Sequence, residues 1–283
     1  MEIRPATEAD FDAELAVMAA AQGALRRRHA FAWTPPTREA FAATHAHLLA
    51  TDPGRSWVAE EGGRIVGYSA ALTRGDVWFL ADLFVHPEHQ AAGLGSQLLE
   101  RAWGDGELRR MTLTDAIQPI SNALYGRRGL VPSTPVLELG GPAGEVPPSG
   151  LEPGEPDART LAVLDAAAYG FDRVADHAFW SARARCTVWS RGGGPVAYSY
   201  AGPGARIGPV AGTDGSAAAG ALAGELTRLD ARPAALDVPG SSRELVELAL
   251  AAGLRITGPP GFLLLGRGLA PPRALALGGY WLF

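Results

Sequence analysis

The sequence predicts an α/β fold in two domains, and three observations carry that expectation. At 283 residues the chain is too long for one domain of about 150 and suits two. Its first half alternates short apolar strands with helical patterns. A stretch rich in Gly and Pro, 140–150, then leads into a second half that runs through a similar order. The expected domains are 1–140 and 151–283.

Ile3-Arg4-Pro5 reads as an opening strand, and Thr7-Glu8-Ala9-Asp10 as a capped helix start with acidic residues in its first turn. That helix carries Leu15, Met18 and Ala19 and is expected to reach about Gln22. A second helix has Phe41, His45 and Leu48-Leu49 at helical spacing and ends near Thr51-Asp52-Pro53-Gly54. Trp57 to Glu60, the turn Glu61-Gly62-Gly63, and Ile65 to Ala70 form a hairpin. A turn at Arg74-Gly75-Asp76 leads to the strand Val77 to Val85. After a helix starting near Leu94 come a strand Met111 to Thr114, a helix Pro119 to Arg128 closed by Gly129, and a strand around Val136 to Leu139.

The most informative segment joins the strand 77–85 to the helix that follows. It reads Leu83-Phe84-Val85-His86-Pro87-Glu88-His89-Gln90-Ala91-Ala92-Gly93-Leu94-Gly95-Ser96, with Leu98 and Leu99 next. Backbone N–H groups at a helix start lack intrahelical partners and carry the positive end of the macrodipole. Glycines at 93 and 95 let an anionic diphosphate approach that backbone. A Walker loop is excluded because it needs a lysine, and all 25 basic residues of this chain are arginine. A dinucleotide fingerprint needs G-x-G-x-x-G directly after the strand, which the spacing here does not provide.

Gln90, Gly93 and Gly95, preceded by Leu83, Val85 and Pro87, resemble the [QR]-x-x-G-x-[GA] pyrophosphate loop of the GNAT superfamily of acyl-CoA N-acyltransferases. Ser121-Asn122-Ala123-Leu124-Tyr125-Gly126-Arg127-Arg128-Gly129-Leu130 resembles a second segment of that family, with a shorter Asn-to-Tyr spacing than in many members. The element order over 1–140 is similar too. The resemblance implies an α+β architecture of GNAT-like domains, each a twisted mixed sheet flanked by helices. It implies acetyl-CoA as co-substrate, held by Leu83, Phe84 and Val85 on the strand edge, by Gln90, Ala91, Ala92, Gly93, Leu94, Gly95 and Ser96 in the loop, and by Asn122 and Tyr125.

Tyr125 is implied to stand beside the thioester sulfur, where a phenol that stays protonated at pH 7 can donate to the leaving thiolate. At the base the sequence departs from the family pattern. Many members carry Glu two residues before the position of Leu83, where this chain has Ala81. Asp82 is adjacent, but strand alternation points it to the opposite face unless a bulge intervenes. Asp82 is the expected catalytic base, ahead of His86, Asp115 and Glu8, which read as turn, cap and first-turn residues. Phe31-Ala32-Trp33 and Trp78 are expected near the acceptor.

The second half repeats the hairpin as Val188-Trp189-Ser190, Arg191 to Gly194, and Pro195 to Ala201, and closes its last helix with Gly253-Leu254. It resembles a degenerate GNAT domain. In place of the glycine loop stands Ala211-Gly212-Thr213-Asp214-Gly215-Ser216, in which Asp214 or Ser216 can cap the helix and a carboxylate would repel a diphosphate. Leu275 to Phe283 reads as a last strand.

Composition bounds the function. A net charge of −5 argues against nucleic acid as partner. One cysteine, Cys186, gives neither a disulfide framework nor a thiolate metal site, and no metal is expected. No apolar run reaches about 18 residues, so no membrane partner is expected and a cytoplasmic location is. The expected activity is direct transfer of an acetyl group from acetyl-CoA to a primary amine of a small molecule, by a monomer or homodimer. A non-catalytic acyl-CoA sensor and a protein N-acetyltransferase are the alternatives.

Overall fold

The computed structural model describes residues 1–283 except Ala231. They divide into two compact units, Met1–Leu113 with Ile117–Leu130, and Thr114–Ala116 with Val131–Phe283. Among the described residues no helix is long and apolar enough to cross a membrane.

The first unit runs β1 (Glu2–Pro5), α1 (Phe11–Arg28), α2 (Arg38–Thr51), β2 (Ser56–Glu61), β3 (Arg64–Arg74), β4 (Val77–Val85), α3 (Leu94–Trp103), β5 (Arg109–Asp115) and α4 (Pro119–Gly126). Strands β1 to β4 pair antiparallel in sequence order and β5 adds parallel to β4, which makes the sheet mixed. The turn into α1 is held where the Thr7 N–H donates to the Asp10 carboxylate, itself gripped by Arg4. This helix continues past Gln22 to Arg28, because Arg26, Arg27 and Arg28 place three cations in the last turn, where the macrodipole favours them. Gly62 and Gly63, both with positive φ, make the tight β2–β3 hairpin.

Adjacent residues of β3 point to opposite faces. A Cβ on Gly67 would touch Leu98 and Leu94 of α3, whereas the Tyr68 ring meets Phe41 and His45 of α2. The sheet therefore lies between α1 and α2 on one side and α3 on the other.

The second unit contains β6 (Val131–Pro142), β7 (Glu152–Gly154), α5 (Ala158–Ala168), α6 (Val174–Ser181), β8 (Arg185–Arg191), β9 (Gly194–Ala201), β10 (Ile207–Gly212), α7 (Gly215–Leu229), β11 (Pro233–Pro239), α8 (Arg243–Ala251), β12 (Arg255–Ile256), β13 (Gly261–Leu265) and β14 (Leu275–Ala276). From β7 to α8 the order repeats that of β1 to α4. Its Ala-rich helix α7 packs closely, with Gly224 lying flat against the ring of Trp189 where any Cβ would collide.

The expected boundary at 140 falls inside β6, a strand that pairs antiparallel with β11 and β13 of the second unit. The Gly- and Pro-rich stretch is likewise folded into that unit. Gly140 and Gly141 pair with Ala235 and Ala234, the Gly144 N–H donates to the Ala252 carbonyl, and Ser149 Oγ donates to that of Gly220. Glycine composition reads as a linker, but backbone hydrogen bonds need no side chain. At the other end, the expected strand 275–283 is short: only Leu275 and Ala276 are extended, paired with Ala211 and Val210 of β10.

Candidate functional site

The loop after β4 turns sharply and leaves the start of α3 at the surface. Ala91 and Gly93 take left-handed backbone conformations, φ 68° and 80°, which turn the chain sharply into α3. Gly93 is the N-cap, and its carbonyl receives the N–H groups of Ser96 and Gln97. Gln90, Ala91, Ala92, Gly93 and Ser96 are exposed, Gly95 is half-buried, and Leu94 is buried as the anchor of the helix. Space does not dictate the glycine at 93, since nothing lies within 4 Å of where its Cβ would be. Its positive φ does. Gln90 Nε2 donates to the Val85 carbonyl at 2.9 Å and so ties the loop to the end of the strand.

Next to this loop β4 leaves β5. The parallel pairing runs from Val77↔Arg109 to Leu80↔Thr112 and stops. Beyond it Leu83, Phe84 and Val85 pair with Ser69, Tyr68 and Gly67 of β3, and among the described residues no strand pairs with their other edge. The side chains of Leu83 and Val85 pack on the core formed with Leu94 and Leu98, while Phe84 lies against Tyr68.

The bulge on which the orientation of Asp82 depends is present. Ala70 faces Asp82 and Ala71 faces Leu80, which leaves Ala81 as the extra residue of β4. Its effect is visible in two side chains four positions apart. Trp78 Nε1 donates to the Ala102 carbonyl on the α3 side, whereas Asp82 meets His45 on the α2 side. An unbroken strand would put both on one face.

Tyr125, in the last turn of α4, is buried. Burial pushes its phenol well above the ordinary range, and the negative charge of Asp82 adds to that. It is therefore a proton donor at neutral pH. Asn122 turns back onto its own helix, donating through Nδ2 to the Gln118 carbonyl at 2.8 Å.

Other expected residues stand apart. Trp78 is fully buried against Trp103 and is a core residue, so it forms no wall for an acceptor. Phe31 is exposed and Trp33 half-buried in the segment between α1 and α2. His86 serves its turn, accepting at Nδ1 from the Glu88 N–H. Three residues that sequence reasoning passed over converge on Asp82: Glu14, His45 and Tyr68. The one local signal was a histidine on the apolar face of α2.

The second unit keeps the outline of this arrangement without its openings. At the start of α7 the Asp214 carboxylate accepts from the Ala217 N–H at 2.8 Å and from Ser216 Oγ at 2.6 Å, and these bonds hold it below the usual carboxylate range. The carboxylate of Glu244 packs where a side chain at 215 would stand. Arg206, just before β10, makes one parallel bridge to Ala235 of β11, and the parallel pairing goes no further. Here β14 fills the gap, pairing with Val210 and Ala211 while Leu277 bridges to Asp237. Asp165, His177, Tyr198 and Tyr200 form a closed hydrogen-bonded group, His177 to Asp165 at 2.8 Å and to Tyr200 at 2.9 Å, and Tyr198 to Asp165 at 2.6 Å. Among the described residues no group of His, Cys, Asp and Glu is placed to hold a metal ion.

Residues 19–130 match the model of the acetyltransferase (GNAT) family. Among solved structures, the chain is similar to a Pyrococcus horikoshii protein assigned as an acetyltransferase, with 16% identity, TM-score 0.78, and 100% of this chain and 95% of that one covered. It is also similar to a GCN5-related N-acetyltransferase from Sphaerobacter thermophilus, at 17% identity and TM-score 0.67 over 96% and 98% of the two chains. A tandem GNAT protein from the clavulanic acid biosynthesis pathway matches at 17% identity and TM-score 0.59 over 93% and 97%. At these identities the likeness is one of fold.

Proposed function

Through residues 19–130 this chain belongs to the GNAT superfamily of acetyltransferases, whose members use acyl-CoA, and from that premise we propose that its first unit transfers an acetyl group from acetyl-CoA to a primary amine of a small molecule. The observation that carries the reading is one continuous track: the open edge of β4 at 83–85 leads directly into the exposed helix start at 90–96.

On this reading the diphosphate of CoA lies on the N–H groups of Ala92 to Gly95, with the α3 dipole behind it. The pantetheine amides add to β4 as a further strand. The thioester then lies between Asp82, which takes a proton from the amine, and Tyr125, which gives one to the departing thiolate. Holding two substrates in register supplies about 7–11 kcal/mol of the barrier, so no covalent enzyme intermediate is needed. Cys186 lies in the other unit, and burial pushes its thiol up to about 11, away from nucleophilic use.

The test is free-thiol release from acetyl-CoA in the presence of a panel of small primary amines, with an acceptor-free control. Turnover that depends on the amine supports the reading. Tight CoA binding without turnover for any amine or N-terminal peptide would make the unit a sensor, and turnover with peptides alone would make it a protein N-acetyltransferase.

A further inference from the structure

Four ionisable side chains meet, all buried, where α1 and α2 pack on β3 and β4: Glu14, His45, Tyr68 and Asp82. His45 Nε2 lies 2.9 Å from Asp82 Oδ2, and His45 Nδ1 lies 3.0 Å from the Phe41 carbonyl. A carbonyl only accepts, so Nδ1 carries hydrogen. The contact between Nε2 and a carboxylate oxygen then requires a second proton between them. The ring has no freedom to leave this position. It stacks on Phe41 at 3.7 Å and meets Phe11 and Tyr68 edge-on, both at 5.9 Å.

The surroundings decide where that proton sits. Burial pulls the imidazole down, but the hydrogen bond to Asp82 and the charges of Asp82 and Glu14 overcome it, and the net direction is up. That direction favours the proton on the imidazole ring. Glu14 is pushed up to about 7 by burial, with Asp82 and Asp10 raising it and His45 and Arg4 opposing. The Tyr68 phenol is raised by burial and by the charges of Asp82 and Glu14, so it is neutral. Glu14 Oε2 and the Tyr68 hydroxyl are buried without a hydrogen-bond partner. Towards α4, the Asp82 charge also reaches Tyr125. Asp82 is thus the one group in electrical contact with both the buried cluster and the proposed acid.

We propose that His45 is a positioning residue for acyl transfer, fixing the Asp82 carboxylate where it receives the proton that the acceptor amine sheds. This rests on the transferase reading above. The step balances. The acceptor, R–NH3+, gives one proton to Asp82, and its freed lone pair forms the N–C bond as the thioester C–S bond breaks. The thiolate takes the phenolic proton of Tyr125, the second proton lost from nitrogen restores that phenol, and the proton on Asp82 passes to solvent between turnovers.

The experiment is the pH dependence of kcat/KM for the wild type and His45→Gln, with acetyl-CoA and any amine the wild type turns over. Glutamine keeps a neutral donor toward Asp82 but removes the charge. Because an opposite charge beside the proposed base is lost, the acidic limb is expected to move to higher pH, with activity recovering at high pH and CoA affinity unchanged. A histidine that only packs would lower the rate by one factor at every pH and leave the limb in place, which would overturn the proposal. If the variant fails to fold, wild-type imidazole nitrogen shifts give the answer. Protons on both nitrogens of His45 at pH 7 support it, and a neutral ring overturns it. Absence of thiol release in the wild type would sink the transferase reading instead, so the two failures are distinct.

Discussion

The Thr112 hydroxyl donates to the Leu80 carbonyl at 2.9 Å at the point where the two strands carrying these residues part. Both residues are buried, and Leu80↔Thr112 is the last pair of the parallel ladder. A side chain thus takes over from the backbone where the strands open. Thr112→Val keeps shape but removes the donor to a buried carbonyl. It is expected to cost about 1 kcal/mol in urea denaturation. An unchanged midpoint would show that the split needs no such closure.

Gly93→Glu tests the proposed cradle and counts the sites. The substitution puts a carboxylate where the diphosphate is proposed to lie, and a like-charge juxtaposition of several kcal/mol lowers CoA affinity by two orders of magnitude or more, roughly. Calorimetric titration is expected to give one CoA per wild-type chain and none for the variant, with the circular dichroism preserved. One site remaining in Gly93→Glu would place CoA in the second unit.

Tyr125→Phe removes a single hydroxyl from a ring held by burial, so the fold and the affinity for CoA are expected to stay. If the phenol protonates the thiolate, kcat falls by about 10²–10⁴. Steady-state kinetics at saturating acetyl-CoA reads this directly. An unchanged kcat would return Tyr125 to the core.

Glu14 gives the stability a pH dependence of defined sign. Its folded-state value of about 7 lies above the ordinary 4.5, so the folded protein binds the proton more tightly. Stability from this group is complete below about pH 4.5 and is lost as pH rises through 7, by on the order of 3 kcal/mol. Glu14→Gln is expected to flatten that decline, measured as urea midpoints between pH 5 and 8. Parallel curves for both proteins would mean that Glu14 is ordinarily ionised.

The turn into α3 was legible because it is local: Gln90, Gly93 and Gly95 lie within a few residues of the helix start, and Gly93 takes the positive φ that glycine favours. The strand before it and the helix after it were legible for the same reason. His45 and Glu14 were not, because their meaning comes from Asp82, 37 and 68 residues further on, and from a bulge that exists only as a register between β3 and β4. Alternation alone could not give the face of Asp82. Helix α6 and strand β13 escaped notice for a different reason, since Val174–Ser181 and Gly261–Leu265 are too short for periodicity to declare a type. The boundary moved from 140 because Gly and Pro mark where a side chain is dispensable, and β6 pairs through its backbone.

Strand β14 gives the second unit an occupant from its own chain. By its β9 partners, Val210 corresponds to Leu83 and Ala211 to Phe84, since Ser199 and Tyr198 stand where Ser69 and Tyr68 do. A tethered segment presents itself to such an edge at an effective concentration on the order of millimolar. Any free molecule seeking that edge competes with a rival covalently joined to the site, at every dilution of the protein. The two halves therefore differ at this edge: the proposed acyl-CoA edge of the first is left to a free molecule, and that of the second is paired within its own chain.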